Sequence, residues 1–181
     1  MEITELPVEE WQAYRDLRLR ALREDPQAFS TAYAKAAETT EAAWKARLEE
    51  ARQGERGWLL FARERDKLVG MIGAYVEDNA TDTATIVSVY VPKEERGKGI
   101  SARLMEGILQ RISVKPSLKR ALLAVNKDQI AAVALYEKFG FRPTGSEPLR
   151  MGDGSLAEEL TMERRLFAVR TEMLRGCDLH A

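Results

Sequence analysis

Apolar residues return at helical spacing through the first fifty positions of the chain and then give way to short, dense runs typical of strands. Residues 2–6 read as a short strand stopped by Pro7. Over residues 8–23, Trp11, Tyr14, Leu17, Ala21 and Leu22 share one helical face, and Pro26 ends the run. A second helix is predicted over residues 40–52, capped by Thr40 and buried through Ala43, Trp44 and Leu48.

The period then changes. Residues 57–64 (GWLLFARE) and 68–77 (LVGMIGAYVE) flank a charged turn, Arg65-Asp66-Lys67, and predict an antiparallel hairpin. Residues 83–91 are rich in Val, Thr, Ile and Tyr, which suit a pleated surface. A helix opens near Gly99, with Ile100, Leu104, Ile108 and Ile112 on its buried face, and Pro116 closes the region. Residues 118–125 predict a strand, and 129–139 a helix closed by Gly140 in the place of a left-handed cap. Residues 141–144 and 157–166 read as the last two strands, with a loop containing Gly, Pro and Asp between them. A run of strands followed by strand–helix–strand crossovers implies an α+β (mixed α/β) domain, with helices on both faces of a mixed sheet. It does not suit a fully parallel, doubly wound sheet.

Composition narrows the function classes. The 181 residues, 45% of them hydrophobic, suffice for one domain with a full core, and no repeat or linker divides them. Charges balance to a net −1, without the basic surplus of a protein that lives on nucleic acid phosphates, so no nucleic-acid partner is expected. The only cysteine and histidine, Cys177 and His180, lie in the last five residues. No disulfide framework, Cys/His metal cluster or Ser-His-Asp triad can be built in the body of the chain. The opening MEITELPVEE lacks a basic region followed by an apolar core, and no apolar run approaches the ~20 residues that cross a bilayer. The expectation is a cytoplasmic protein with no membrane partner.

Candidate chemistry concentrates in Val91-Pro92-Lys93-Glu94-Glu95-Arg96-Gly97-Lys98-Gly99-Ile100-Ser101. A strand ends, basic residues and two glycines follow, and an amphipathic helix begins. The glycines let a ligand approach the backbone, and the first helical turn offers unpaired N–H groups to an anion. These features imply a di- or triphosphate site. A Walker A loop, G-x-x-x-x-G-K-S/T, occurs nowhere in the chain. Gly97-x-Gly99-x-x-Ala102 does fit the dinucleotide fingerprint. However, five residues separate Gly97 from the strand, and Lys119 and Arg120 stand where the acidic ribose partner belongs. An ordinary solvated turn capping a helix is the remaining reading.

The same segment resembles motif A of the GNAT acyltransferases, Arg/Gln-x-x-Gly-x-Gly/Ala, with Arg96, Gly99 and Ser101 in the three defined places. Ser101 replaces the usual Gly or Ala. A second stretch, LAVNKDQIAAVALYEKFGF (residues 123–141), resembles motif B of that family: Ala132, Leu135, Tyr136, Gly140 and Phe141 are in register. Gln129 occupies the family's Asn position, and Asn126 lies three residues too early. The resemblance covers residues 1–166 and implies a GNAT-like, mostly antiparallel sheet. It implies acetyl-CoA as co-substrate, with no metal, held by Tyr90, Val91, Arg96, Gly97, Lys98, Gly99, Ile100, Ser101, Gln129 and Tyr136. It also casts Tyr136 as the acid that protonates the departing thiolate, whereas without the motif Tyr136 reads as packing beside Phe139 and Phe141.

An amine must lose its proton before it attacks. Glu77 or Asp78, at the end of the strand before the CoA strand, are the candidates to take it. No cysteine stands where an acyl-enzyme would form, so direct attack in a ternary complex is expected. The resemblance places the amine acceptor, a small molecule or a protein amine, against residues 25–44 and 145–155. Phe29, Tyr33 and Trp44 are candidate lining residues there, and Glu38 and Glu41 candidate attractors of a cation. An acyl-CoA sensor without turnover is the alternative function. In the tail, residues 167–181, Val169 and Met173 follow Leu166 at helical intervals. That segment is either a packing surface for a homodimer or a frayed end.

Overall fold

The computed structural model, which describes residues 1–167, turns the alternation along one strand into two cores on opposite faces of a sheet. In β2 (Gly57–Glu64), Leu60 and Ala62 join one core while Phe61 joins the other. The first core is closed by α4 (Ile100–Ser113) and α5 (Ile130–Lys138). The second is closed by α1 (Trp11–Glu24), α2 (Tyr33–Ala37) and α3 (Glu41–Gln53). Tyr14 joins them edge-on, its ring 5.1 Å from Trp44 and 5.4 Å from Phe61.

The remaining strands are β1 (Glu2–Thr4), β3 (Lys67–Val76), β4 (Thr83–Tyr90), β5 (Arg120–Asn126), β6 (Arg142–Arg150) and β7 (Leu156–Arg165). Their spatial order is β1-β2-β3-β4-β5-β7-β6, antiparallel at every junction except β4 with β5. A parallel pair cannot be joined by a tight turn, and α4 makes the crossover. The architecture is the mixed, mostly antiparallel sheet expected, with helices on both faces.

Local chemistry fixes several boundaries. Thr40 caps α3, accepting the N–H of Ala43 at 3.3 Å. At the end of α5, Gly140 takes φ +83° and the N–H of Phe141 reaches back to the Tyr136 carbonyl at 3.1 Å, the pattern of a Schellman cap. Six apolar side chains of α4 are buried, each contributing about 1.5–3 kcal/mol. The helix sits close to the sheet because β3 carries Gly70. A Cβ there would stand 2.9 Å from Leu104 and 3.2 Å from the Tyr90 carbonyl.

Two expectations change. The strand expected over 141–144 extends through residue 150, so β6 and β7 form a long hairpin turning at residues 151–155. Pro143 and Pro148 disguise it, yet β6 is the outermost strand, where a missing N–H is tolerated. The short α2 lies in a stretch read as connection. No helix among the described residues is long and apolar enough to cross a membrane. The tail helix considered for residues 167–181, with Cys177 and His180, falls outside the described residues from 168 onward.

Candidate active site

The site begins where the sheet splits. Pairing between β4 and β5 runs from Thr83–Arg120 to Ile86–Leu123 and stops. Beyond that point β4 stays with β3, and β5 stays with β7 through Asn126. A bulge in β4 drives the divergence: β3 advances two residues from Met71 to Gly73 while β4 advances three from Val87 to Tyr90. Ser88 sits in it at φ +58°, a left-handed conformation uncommon for a residue with a Cβ. The last residues of β4 therefore have no ladder partner on their β5 side.

A cleft of about 590 Å³ occupies this split. Tyr90, Val91, Arg96, Gly97, Gly99, Ile100, Ser101, Gln129 and Tyr136 all line it, so β4, the following loop and α5 bring together most of the residues singled out in the sequence. Three other residues singled out in the sequence, Lys98, Glu77 and Asp78, stand apart. The Lys98 side chain is ion-paired with Glu95 at 2.7 Å and does not line the cleft. Glu77 is exposed and lines no described cavity; it accepts a long 3.4 Å hydrogen bond from the Tyr75 hydroxyl. Asp78 is ion-paired with Arg56.

The loop before α4 has an open, left-handed backbone. Gly97 and Gly99 take φ +79° and +77°, and a Cβ on either would meet nothing within 4 Å. Their necessity comes from backbone conformation and from the open space above them, not from packing. Left-handed residues just before a helix start, here Gly97 and Gly99 before Ile100, are the backbone pattern from which N–H concavities for anions are built. Arg96 braces the loop instead of standing free. Its Nε donates to the Val91 carbonyl at 3.0 Å and its Nη2 pairs with the buried Asp25. Sequence reasoning missed Asp25, because a carboxylate before Pro26 carries no mark of a partner 71 residues away.

On α5, Tyr136 is only 6% exposed, and burial pushes its phenol well above the ordinary value. It therefore remains a proton donor at any physiological pH. No hydrogen bond engages its hydroxyl among the described residues, and its ring packs edge-on to Phe141 at 6.3 Å. Gln129 immediately precedes α5 without capping it through its side chain. Asn126 is committed elsewhere: its Nδ2 donates to the Gln27 carbonyl at 3.2 Å and its Oδ1 accepts the Asp128 N–H at 3.0 Å. On the α1 side, the Tyr90 hydroxyl donates to Glu24 at 2.7 Å. Burial first, and then that carboxylate, raise the phenol's pKa.

Sequence comparison agrees with this geometry, since the profile of the Acetyltransferase (GNAT) family matches residues 11–141. The chain belongs to that family. Among GNAT relatives, a probable spermine N(1)-acetyltransferase of Bacillus subtilis subsp. natto is 27% identical over 78 residues, 43% of this chain and 51% of that protein. An L-2,4-diaminobutyric acid acetyltransferase of Marinococcus halophilus is 38% identical over 79 residues, 44% of this chain and 45% of the other. The chain thus spans about half the length of the curated relatives it matches. Among solved GNAT structures, yncA from Salmonella typhimurium, a putative acetyltransferase with its cofactor acetyl-CoA, superposes with a TM-score of 0.76 at 17% identity, covering 100% of this chain and 96% of that one.

Proposed function

We propose that this chain, through residues 1–166, transfers an acetyl group from acetyl-CoA to a primary amine by direct attack in a ternary complex. The observation that carries the reading is the cleft through the β4–β5 split, with the open glycine loop before α4 on one wall and the buried Tyr136 phenol on another.

The residues present fit the co-substrate. The N–H groups around Gly97–Ser101 suit a pyrophosphate, and the end of β4 at Tyr90, unpaired on the side toward β5, with Val91 after it, suits an extended amide-bearing arm. Gln129 offers an amide from the opposite wall. Acetyl-CoA supplies an activated acetyl group: the amine nitrogen forms the new bond to carbon as the carbon–sulfur bond breaks. Tyr136 donates its proton to the departing sulfur, which leaves as a thiol. The ammonium form of the acceptor must first give up its proton. Because Glu77 and Asp78 stand outside the cleft, that proton passes to water at the open mouth.

The relatives' names suggest two acceptor chemistries, a polyamine and a diamino acid. A cytoplasmic setting is proposed from the absence of paired cysteines. An acceptor screen read by free-thiol release from acetyl-CoA tests the proposal. Thiol release that depends on both acetyl-CoA and an amine is the expected result. Tight acetyl-CoA binding with no release across the panel would instead support a sensor.

A further inference from the structure

Two buried hydrogen-bond donors without a partner among the described residues line a second cavity. This cavity measures about 760 Å³ and lies between the α1–α3 layer and strands β2–β4. Arg18 Nη1 and Trp44 Nε1 are buried there, and neither has a hydrogen-bond partner among the described residues. The Arg18 guanidinium stacks on Phe29 at 4.6 Å and that of Arg47 on Trp44 at 4.7 Å. Neither guanidinium is in an ion pair among the described residues.

These groups feel one another. Burial lowers the Arg18 pKa, Tyr14 offsets part of that, and the Arg47 charge adds to it. Lys35 brings a third cation to the wall, and Glu50 is the only carboxylate among the described lining residues. The half-buried Arg18, with an unused donor and the exposed Arg47 and Lys35 at the rim, is costly to keep charged unless an anion joins it. Two guanidiniums match a carboxylate through planar, forked hydrogen bonds, and the indole N–H adds one more donor.

The far wall of this cavity is Val87 and Ser88, whose successors Val89 and Tyr90 line the cleft on the other side of the bulge. The segment after α1 is shared in the same way, with Ala28 and Phe29 on the cleft and Ser30 and Thr31 on the cavity. The two spaces therefore meet across the same two backbone segments. We infer that the acceptor is a small, amino-acid-like molecule whose carboxylate is held by Arg18 and Arg47 while its amine points to the bulge at Ser88. This inference rests on the acetyltransferase reading above and adds the substrate class. Its volume suits a small molecule. A polycation would instead meet three like charges with a single carboxylate to offset them.

Matched pairs of amines test it. Amino carboxylates and their carboxamides, with spermine as a polycation, are assayed for free-thiol release at saturating acetyl-CoA. The proteins compared are wild type, Arg18→Gln, Arg18→Lys and the surface-facing Arg47→Gln. The wild type is expected to prefer a carboxylate over its carboxamide by about tenfold or more in kcat/KM, each tenfold being ~1.4 kcal/mol. Arg47→Gln and Arg18→Gln should raise KM for that carboxylate about 10–100-fold with the KM for acetyl-CoA unchanged, and Arg18→Lys should fall between. The inference is overturned if carboxamides or spermine are used as well as carboxylates, if no carboxylate-bearing amine is turned over, or if both members of a pair lose equally in the variants. Thermal stabilisation by acetyl-CoA in the same samples separates the two failures. Stabilisation without carboxylate preference removes the acceptor assignment alone, whereas no stabilisation removes the acetyltransferase reading beneath it.

Discussion

The backbone N–H of Gly152 donates to the carbonyl of Phe29 at 2.7 Å, tying the β6–β7 turn to the segment that walls both the cleft and the acceptor cavity. The approach leaves no room for a side chain, since a Cβ on Gly152 would stand 2.7 Å from the Thr31 carbonyl and 3.0 Å from that of Phe29. Gly152→Ala should therefore push the two segments apart. Overpacking of this kind costs about 1–3 kcal/mol. The melting temperature should fall by about 2–4 °C per kcal/mol. KM for the acceptor should rise more than KM for acetyl-CoA. An unchanged melting temperature would show that the contact yields freely.

Gly99→Val tests the phosphate loop. A β-branched residue at φ +77° is strained by about 1–3 kcal/mol, and its side chain would enter the open space above the loop. Calorimetric binding of CoA should be lost while the circular dichroism of the folded protein is kept. Normal CoA affinity in that variant would remove the loop from the site.

Tyr136→Phe removes a proton while keeping the ring against Phe141. With acetyl-CoA affinity preserved, turnover should fall by about 10²–10⁴-fold. The pH dependence follows from the direction of the shift. Burial raises the phenol's pKa above its usual ~10, so Tyr136 stays protonated, and able to donate, throughout the working range. In the wild type, kcat/KM for the acceptor should climb with pH as the free amine forms, with no alkaline fall below about pH 10. A fall in that range that disappears in Tyr136→Phe would place the phenol's pKa lower and contradict this account.

Gln129 and Asn126 separate a ligand contact from a structural one. Gln129→Ala should weaken CoA binding by ~0.5–1.5 kcal/mol and leave stability nearly unchanged. Asn126→Ala breaks the bonds to Gln27 and Asp128, so it should cost about 1–3 kcal/mol of stability, read by denaturant titration. The reverse pattern would exchange their roles.

Much of this site could be read from the sequence because its parts are local. The glycine loop, the helix after it and the Tyr136 helix each sit within one strand-to-helix junction, where spacing and residue type report directly on conformation. The acceptor cavity could not be read that way. Arg18, Trp44 and Ser88 come from α1, α3 and β4, and only the packing of those helices on the sheet brings them together. Aromatic residues at helical spacing gave Trp44 as a lining candidate but could not show its unpaired indole N–H. Glu38 and Glu41, considered as attractors of a cation, are exposed and do not line the cavity, whose charge is basic instead. Nor does TATIVSVY mark a bulge: nothing in its run of strand-forming residues signals the left-handed Ser88. For Glu77, a place at a strand end fixes position along the chain but not the direction of the side chain.

Thermal unfolding with and without acetyl-CoA tests the central claim most directly, because a ligand that binds only the folded state stabilises it. At a concentration one hundred times its Kd, the gain is ~2.7 kcal/mol. For a chain of this length that corresponds to a rise of about 5–10 °C in melting temperature. Acetyl-CoA should produce that rise, CoA a smaller one, and NAD and ATP almost none. A shift with NAD and none with acetyl-CoA at saturating concentration would contradict the assignment of the β4–β5 cleft.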